Sequence, residues 1–251
     1  MNVTLDGKVI IITGAARGIG AAIARQAAQS GAEGLMLTDR ETFLHSLDCP
    51  TETLVADLLD TNAASTICQA AIKRFGRIDG LVNAAGITTR VGLADATPAI
   101  WDQIMGINAR APFFLMAQVI ADMRVRKAPG SIVNIQSMNA HCGLPELAVY
   151  SASKGALQTL TKNTANATMG DKIRVNGINL GWVDTQTERH LQEVTLGKGE
   201  GWMDHQAAEQ PIGRFVSEDD AARLAVYLLS DASAPMTSTN HDLAQWVVGA
   251  P

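Results

Sequence analysis

The sequence predicts an α/β protein in which a doubly wound, mostly parallel sheet is flanked by helices, in one domain spanning residues 1–251. Three observations predict it. Short, wholly apolar runs of strand length alternate with segments of helical spacing. The first such run closes on a glycine-rich turn that opens a helix. No repeat, low-complexity tract or linker interrupts the rhythm.

The elements follow in order. Val9 to Ile12 is a continuous apolar run, as expected of a strand covered on both faces. Ala21 to Gln29 has helical spacing and stops at Gly31. Leu35 to Leu37 is a second strand, and Leu54-Val55 ends a third at Asp57. A helix follows over Asn62 to Phe75, then a strand over Ile78 to Val82 that closes on Asn83-Ala84-Ala85-Gly86. Thr97 and Pro98 read as an N-cap and first helical residue, so a helix runs from Ile100 to Ile107. It is expected to continue, after a break near Pro112, from Phe113 to Met123. Ser131 to Ile135 is a strand, Val149 to Ala167 a long helix, and Val175 to Asn179 a strand. Ser217 with Asp220 resembles a capping box opening a helix to Leu229. Gln186 to Gln210 breaks the rhythm. It is long, polar and rich in Glu, Gly and His, and is expected to be a lid or flexible loop over substrate.

The chain has 251 residues, 47% of them hydrophobic, enough for a large core. The net charge of -5 gives no basic footprint for nucleic acid. No apolar run approaches the length of a membrane span, and the N-terminus reads as a strand, not a signal peptide. Cys49, Cys68 and Cys142 are odd in number and widely spaced. They suit free thiols in a reducing cytoplasm, not a disulfide framework. No His, Cys, Asp and Glu set has metal-ligand spacing.

After the first strand comes Thr13-Gly14-Ala15-Ala16-Arg17-Gly18-Ile19-Gly20. Glycines there let the backbone approach a ligand closely and tolerate positive φ. The helix that follows offers unpaired N–H groups and a positive dipole end, a seat for pyrophosphate. Asp39 ends the second strand, where a carboxylate accepts hydrogen bonds from adenosine-ribose hydroxyls and repels a 2′-phosphate. This favours NAD over NADP. Arg17 and Arg40 argue the other way, since either could reach a 2′-phosphate or simply face solvent. Asp57, beside Leu58, is placed to accept the adenine amino group or to cap the next helix.

Tyr150 and Lys154 lie four apart on one face of the long helix. A free phenol titrates at about 10, too high for easy proton exchange at neutral pH. A nearby cation favours the phenolate, and Lys154 could supply it. By itself this pair is common on amphipathic helices.

The set of motifs is more specific. The T-G-x-x-x-G-I-G loop, Asn83-Ala84-Ala85-Gly86, Ser137 and the Tyr150/Lys154 pair occur in one order along one β/α pattern. Over essentially its whole length the chain resembles the short-chain dehydrogenase/reductase family. The resemblance implies a single-domain Rossmann fold with seven parallel strands and a reaction that passes hydride between a nicotinamide and a substrate carbon. It implies Tyr150 as general acid/base and Ser137 as the hydrogen-bond partner of the substrate oxygen. It implies that Lys154 lowers the phenol's pKa and holds the nicotinamide ribose, and that Asn108 holds a relay water. Gly14, Arg17, Gly18, Ile19, Gly20, Asp39, Arg40, Asp57, Leu58, Asn83, Ala84 and Gly86, with Tyr150, Lys154, Gly181, Val183 and Thr185, form the expected cofactor surface. Asn83 is expected to brace the central strands, and Ser137 and Asn108 could instead serve only as local caps. Relatives are commonly tetramers, so a homotetramer or homodimer is expected, with apolar faces over 113–123 and 157–164.

Four departures stand out. Leu180 replaces the usual proline before Gly181, and Gln136 replaces a small residue before Ser137. Thr237-Ser238 replaces Thr-Gly, and Asp242-Leu243-Ala244-Gln245-Trp246 replaces the usual Asp-Gly-Gly segment. Substrate contacts are expected from Ser137, Asn139, His141, Tyr150 and Glu146, and from Glu188, His190, Trp202 and His205. Their polarity suits a small sugar or polyol as substrate of an NAD-dependent dehydrogenase. Two alternatives are an NADPH-dependent 3-oxoacyl-thioester reductase and an inactive dinucleotide sensor, which would have no use for the proton-donating set.

Overall fold

A computed structural model describes residues 3–246. Strand β1 (Val9–Thr13) runs into helix α1 (Gly18–Gln29), followed by β2 (Gly34–Asp39), β3 (Thr51–Val55), α2 (Ala63–Phe75) and β4 (Gly80–Asn83). Helices α3 (Pro98–Met105) and α4 (Ala111–Arg126) precede β5 (Gly130–Ser137), α5 (Ala148–Thr168) and β6 (Ile173–Leu180). The last part holds β7 (Val183–Asp184), α6 (Gln186–His190), α7 (Trp202–Ala208), β8 (Val216–Ser217), α8 (Glu218–Leu229) and β9 (Asn240–Leu243).

Seven strands form one parallel sheet in the order β3-β2-β1-β4-β5-β6-β9. The apolar runs are continuous because successive side chains enter different cores. Ile10, Ile12, Leu35 and Leu37 pack in the cluster shared with α1 and α8. Ile11 and Met36 pack in the opposite cluster, shared with α2 and α4. The chain reverses its winding between β1 and β4, which opens a crevice beyond their carboxyl ends.

The structure corrects three expectations. The helix does not break near Pro112. A π turn, Gly106–Arg110, joins α3 to α4, and the Ala111 N–H bonds to the Gly106 carbonyl. Pro112 has no N–H to return to the carbonyl of residue 108, and the widened turn absorbs that missing bond. The joined helix, Pro98–Arg126, is therefore long and apolar enough by composition to cross a membrane, although no single run of sequence suggested it. Its most apolar stretch is 61% buried inside the protein, so core packing accounts for its character.

Gln186 to Gln210 is not an open loop. It folds as α6, a π turn (Leu191–Thr195) and α7. Arg189 clamps it, donating to both oxygens of Asp184 at 2.6 and 2.8 Å and to Asp204 at 2.9 Å. The polar segment Asn240–Leu243, not expected as a strand, pairs with β6 in register from Gly177–Asn240 to Leu180–Leu243. Leu180 is the last residue of β6, where it pairs with Ser137 of β5 and Leu243 of β9. The expected capping box is present, with Ser217 and Asp220 hydrogen-bonded reciprocally at 2.9 and 3.1 Å.

Candidate active site

A cleft of about 1800 Å³ lies along the carboxyl ends of the strands. At one end the strand β1 turns through the glycine loop into α1. Gly14 has φ +66°, and a Cβ there would stand 2.7 Å from Ala85 Cα. A Cβ on Gly20 would lie within van der Waals overlap of the Gly14 carbonyl. No side chain caps α1, and its first turn carries no acidic residue, so the leading N–H groups face the cleft uncompensated. Thr13 Oγ1 accepts from the N–H groups of both Ala84 and Ala85 at 3.1 Å, which ties the loop after β4 to the glycine turn. This backbone cradle fits a dinucleotide pyrophosphate.

At the adenosine end, Asp39 is held by the N–H groups of Ala16, at 3.1 Å, and Arg40, at 2.8 Å. Arg17 does not stand free. It donates to both oxygens of Glu41 at 3.0 and 3.3 Å, and Arg40 Nε lies 3.8 Å from the same carboxylate. Asp57 accepts from the Leu59 N–H at 2.9 Å, a local turn contact, and with Leu58 lines the cleft. His45, which no sequence pattern marked, bonds the Ala15 carbonyl through Nε2 at 2.6 Å.

At the other end, α5 carries Tyr150 and Lys154 against the end of β5. Both are buried, Tyr150 to 7% exposure and Lys154 to 5%. Burial holds the Tyr150 phenol above its ordinary value. The neighbouring Ser137 hydroxyl pulls it back down, and the Glu188 carboxylate pushes it up. Burial brings Lys154 down to about 8. Its Nζ donates to the Ile135 carbonyl at 2.9 Å and lies 5.8 Å from the Tyr150 ring centroid. In this geometry the Lys154 ammonium donates to the Ile135 carbonyl and not to the phenol oxygen.

Ser137 also accepts from the Asn139 N–H at 3.2 Å, so it caps a short turn while facing the phenol. Asn108 is wholly buried in the π turn behind the cleft wall. Its side chain accepts from the Ile87 N–H and donates to the Ile87 carbonyl, both at 2.9 Å, and donates to Ser153 at 3.0 Å. Asn83 is likewise buried behind the wall and braces β4 on β5, donating to Asn134 at 2.7 Å. Gln136 shares that polar layer through Thr161, at 2.8 Å. Gly177 on β6 gives it room, because any Cβ there would overlap the glutamine amide.

Ile19, Gly86, Gly181, Val183, Thr185, Asn139 and His141 all line the cleft. Thr185 also caps α6, accepting from the Glu188 N–H at 3.0 Å. Glu146 and His190 line the cleft as well, with Glu146 paired to Arg90 at 2.8 Å. Trp202 instead packs on Trp182, ring centroids 5.4 Å apart. His205 is largely exposed, lies outside the cleft lining and faces Glu209 at 3.7 Å. Trp182, Gln192 and Lys198 join the wall without having been anticipated. Trp182 directly follows Gly181, so its place beside the motif was the available signal. The divergent C-terminal segment packs onto the cleft. Asp242 accepts from Asn179 at 2.6 Å and lies 3.6 Å from His141, and Trp246 donates to Gln210 at 3.2 Å.

Residues 14–243 match the family model described as Enoyl-(Acyl carrier protein) reductase. The chain is 34% identical over 240 residues to "Dehydrogenase/reductase SDR family member 6" of Xenopus laevis, covering 94% of this chain and 96% of the relative. The chain belongs to the short-chain dehydrogenase/reductase family. It is 32% identical to the L-xylulose reductase of Bos taurus, covering 95% of this chain and 96% of the relative. It is 31% identical to the 3-oxoacyl-[acyl-carrier-protein] reductase FabG of Thermotoga maritima, covering 93% and 94%. The solved structure of L-sorbose reductase from Gluconobacter frateurii, complexed with NADPH and L-sorbose, superposes with a TM-score of 0.93 at 26% identity, covering 100% of both chains. As a short-chain dehydrogenase/reductase, the protein is an NAD(P)-dependent oxidoreductase acting on CH–OH groups of a small molecule, which sets aside the inactive sensor.

Proposed function

We propose that the protein interconverts a secondary alcohol and a ketone on a small polyhydroxylated substrate, a sugar or polyol, with NAD(H) as the preferred cofactor. The observation that carries this reading is the pair of Ser137 and Tyr150 in a cleft that also holds the hydrogen-bonding groups of Asn139, His141, Glu146, Glu188 and His190. Tyr150 exchanges the proton at the substrate oxygen, and Ser137 hydrogen-bonds the same oxygen. The nicotinamide, when bound, supplies or accepts the hydride. Gly14, Gly18, Ile19 and Gly20 would hold the pyrophosphate, and Lys154, Gly181, Val183 and Thr185 the nicotinamide end. Lys154 and Asn108 link the phenol to solvent.

Two carboxylates, Asp39 and Glu41, support NAD. Glu41 occupies Arg17, and Asp39 would repel a 2′-phosphate. Two comparisons named above support the substrate class, since L-xylulose and L-sorbose reductases act on sugars by name. The second reading, 3-oxoacyl-thioester reduction with NADPH, draws on the similarity to FabG. The half-exposed Phe113 and Phe114 support association through α4 as a homodimer or homotetramer, which sedimentation velocity would test.

The deciding experiment is a screen of sugars, polyols, plain ketones and a 3-oxoacyl thioester with NAD(H) and NADP(H) in parallel. A polyol or sugar with NAD(H) as the best pair supports the proposal. A thioester reduced only with NADPH overturns it.

A further inference from the structure

We infer that Glu188 is a specificity-determining residue that receives a substrate hydroxyl adjacent to the reacting carbon and excludes anionic substrates. Glu188 stands on α6 and lines the same cleft as Tyr150. Its carboxylate is fixed through one oxygen. Oε1 accepts from the Trp182 indole at 2.8 Å and from the Gln192 amide at 2.6 Å. Gln192 is buried to 2% exposure and is itself held by Lys198 at 2.7 Å. The ammonium of Lys198 rests 3.7 Å from the Trp202 ring centroid, and Trp202 packs on Trp182. The charge of Glu188 is thus positioned from two sides by groups that are themselves anchored. Among the described residues no donor reaches Oε2.

A preorganised carboxylate with one free oxygen is an acceptor awaiting a donor. It cannot be matched by a ketone oxygen, which also only accepts, and it repels a carboxylate. A hydroxyl beside the reacting carbon satisfies it. That selects an α-hydroxyketone in reduction and a vicinal diol in oxidation. The Glu188 carboxylate raises the phenol's pKa through its charge, which supports its nearness to the reacting end of the cleft. This inference rests on the polyol reading and narrows it to the position of one hydroxyl.

The test compares 3-hydroxy-2-butanone, 2-butanone and 2-oxobutanoate in the wild type and in Glu188→Gln. The glutamine keeps an oxygen for Trp182 and Gln192 but turns a donor toward the cleft. The wild type is expected to favour the hydroxyketone over the plain ketone by about ten- to hundred-fold in kcat/KM, the range of a hydrogen bond to a charged group. In Glu188→Gln that ratio is expected to collapse toward one, while 2-oxobutanoate improves relative to 2-butanone. The variant is also expected to carry the acid limb of alcohol oxidation to lower pH, since a negative charge facing the phenol is gone. A purely structural role would move no pH limb. Glu188→Asp, which keeps the charge, should restore part of the ratio. No preference for the hydroxyketone in the wild type overturns the polyol reading, and this inference with it. A wild-type preference that persists unchanged in Glu188→Gln overturns the inference alone.

Discussion

The Lys154 ammonium lies 5.8 Å from the centroid of the Tyr150 ring and donates to the Ile135 carbonyl, at 2.9 Å, instead of to the phenol. Burial lowers the lysine to about 8 and holds the phenol above its ordinary value. In this geometry the phenol draws its help from Ser137, whose hydroxyl favours the ionised form.

Lys154 should cost stability. Its ordinary value is 10.5 and its folded value about 8. Between these the unfolded chain holds more protons, so stability rises with pH across that window, and below about 8 the full penalty applies. Lys154→Met is expected to be more stable than the wild type at pH 7, by about 1–3 kcal/mol. The gap should close toward pH 10.5. Urea unfolding at neutral and alkaline pH checks this. Turnover of the same variant is expected to fall by about a hundredfold or more.

Ser137→Ala removes the one neighbour that draws the phenol down. Alcohol oxidation needs Tyr150 ionised, so its rate rises with pH through the phenol's pKa. The variant's acid limb is expected to move to higher pH, and kcat to fall by about 10²–10³, as for loss of one donor to a reacting oxygen. A pH–rate profile read beside the wild type measures both.

Cofactor choice is expected to turn on Asp39. Asp39→Ser removes the charge nearest the expected ribose position while leaving Arg17 and Arg40. The ratio of kcat/KM for NAD over NADP is expected to fall by at least about tenfold, equivalent to about 1.4 kcal/mol. Adding Glu41→Gln frees Arg17 and should carry the ratio further the same way. Steady-state kinetics with both cofactors checks the pair.

The sequence showed most clearly what is local. The strand–glycine loop–helix unit and the Ser217/Asp220 cap each need only a few neighbouring residues, and both are present. The seven-stranded sheet was an inference from resemblance, and the structure bears it out. Three features depend on distant partners and stayed hidden. Pro112 signals a break by propensity, but the preceding turn widens and packing keeps the helix continuous. Asn240–Leu243 has no apolar run, because it is an edge strand that pairs only with β6. The segment 186–210 reads as loop because its helices are short and polar and are held by tertiary contacts such as Arg189–Asp184. The site residues were legible as an ordered set, and all but Asn83, Asn108, Trp202 and His205 line one cleft. The electrostatic division of labour was not, since the effect of Lys154 depends on how deeply it is buried.

The central claim is that Tyr150 exchanges the proton with substrate, and Tyr150→Phe tests it most directly. The variant keeps the ring and loses only the hydroxyl. Turnover is expected to drop by about 10³ or more. NADH affinity, measured by fluorescence titration, is expected to stay within about threefold, well under 1.4 kcal/mol. A Tyr150→Phe protein that turns over at the wild-type rate would contradict the account.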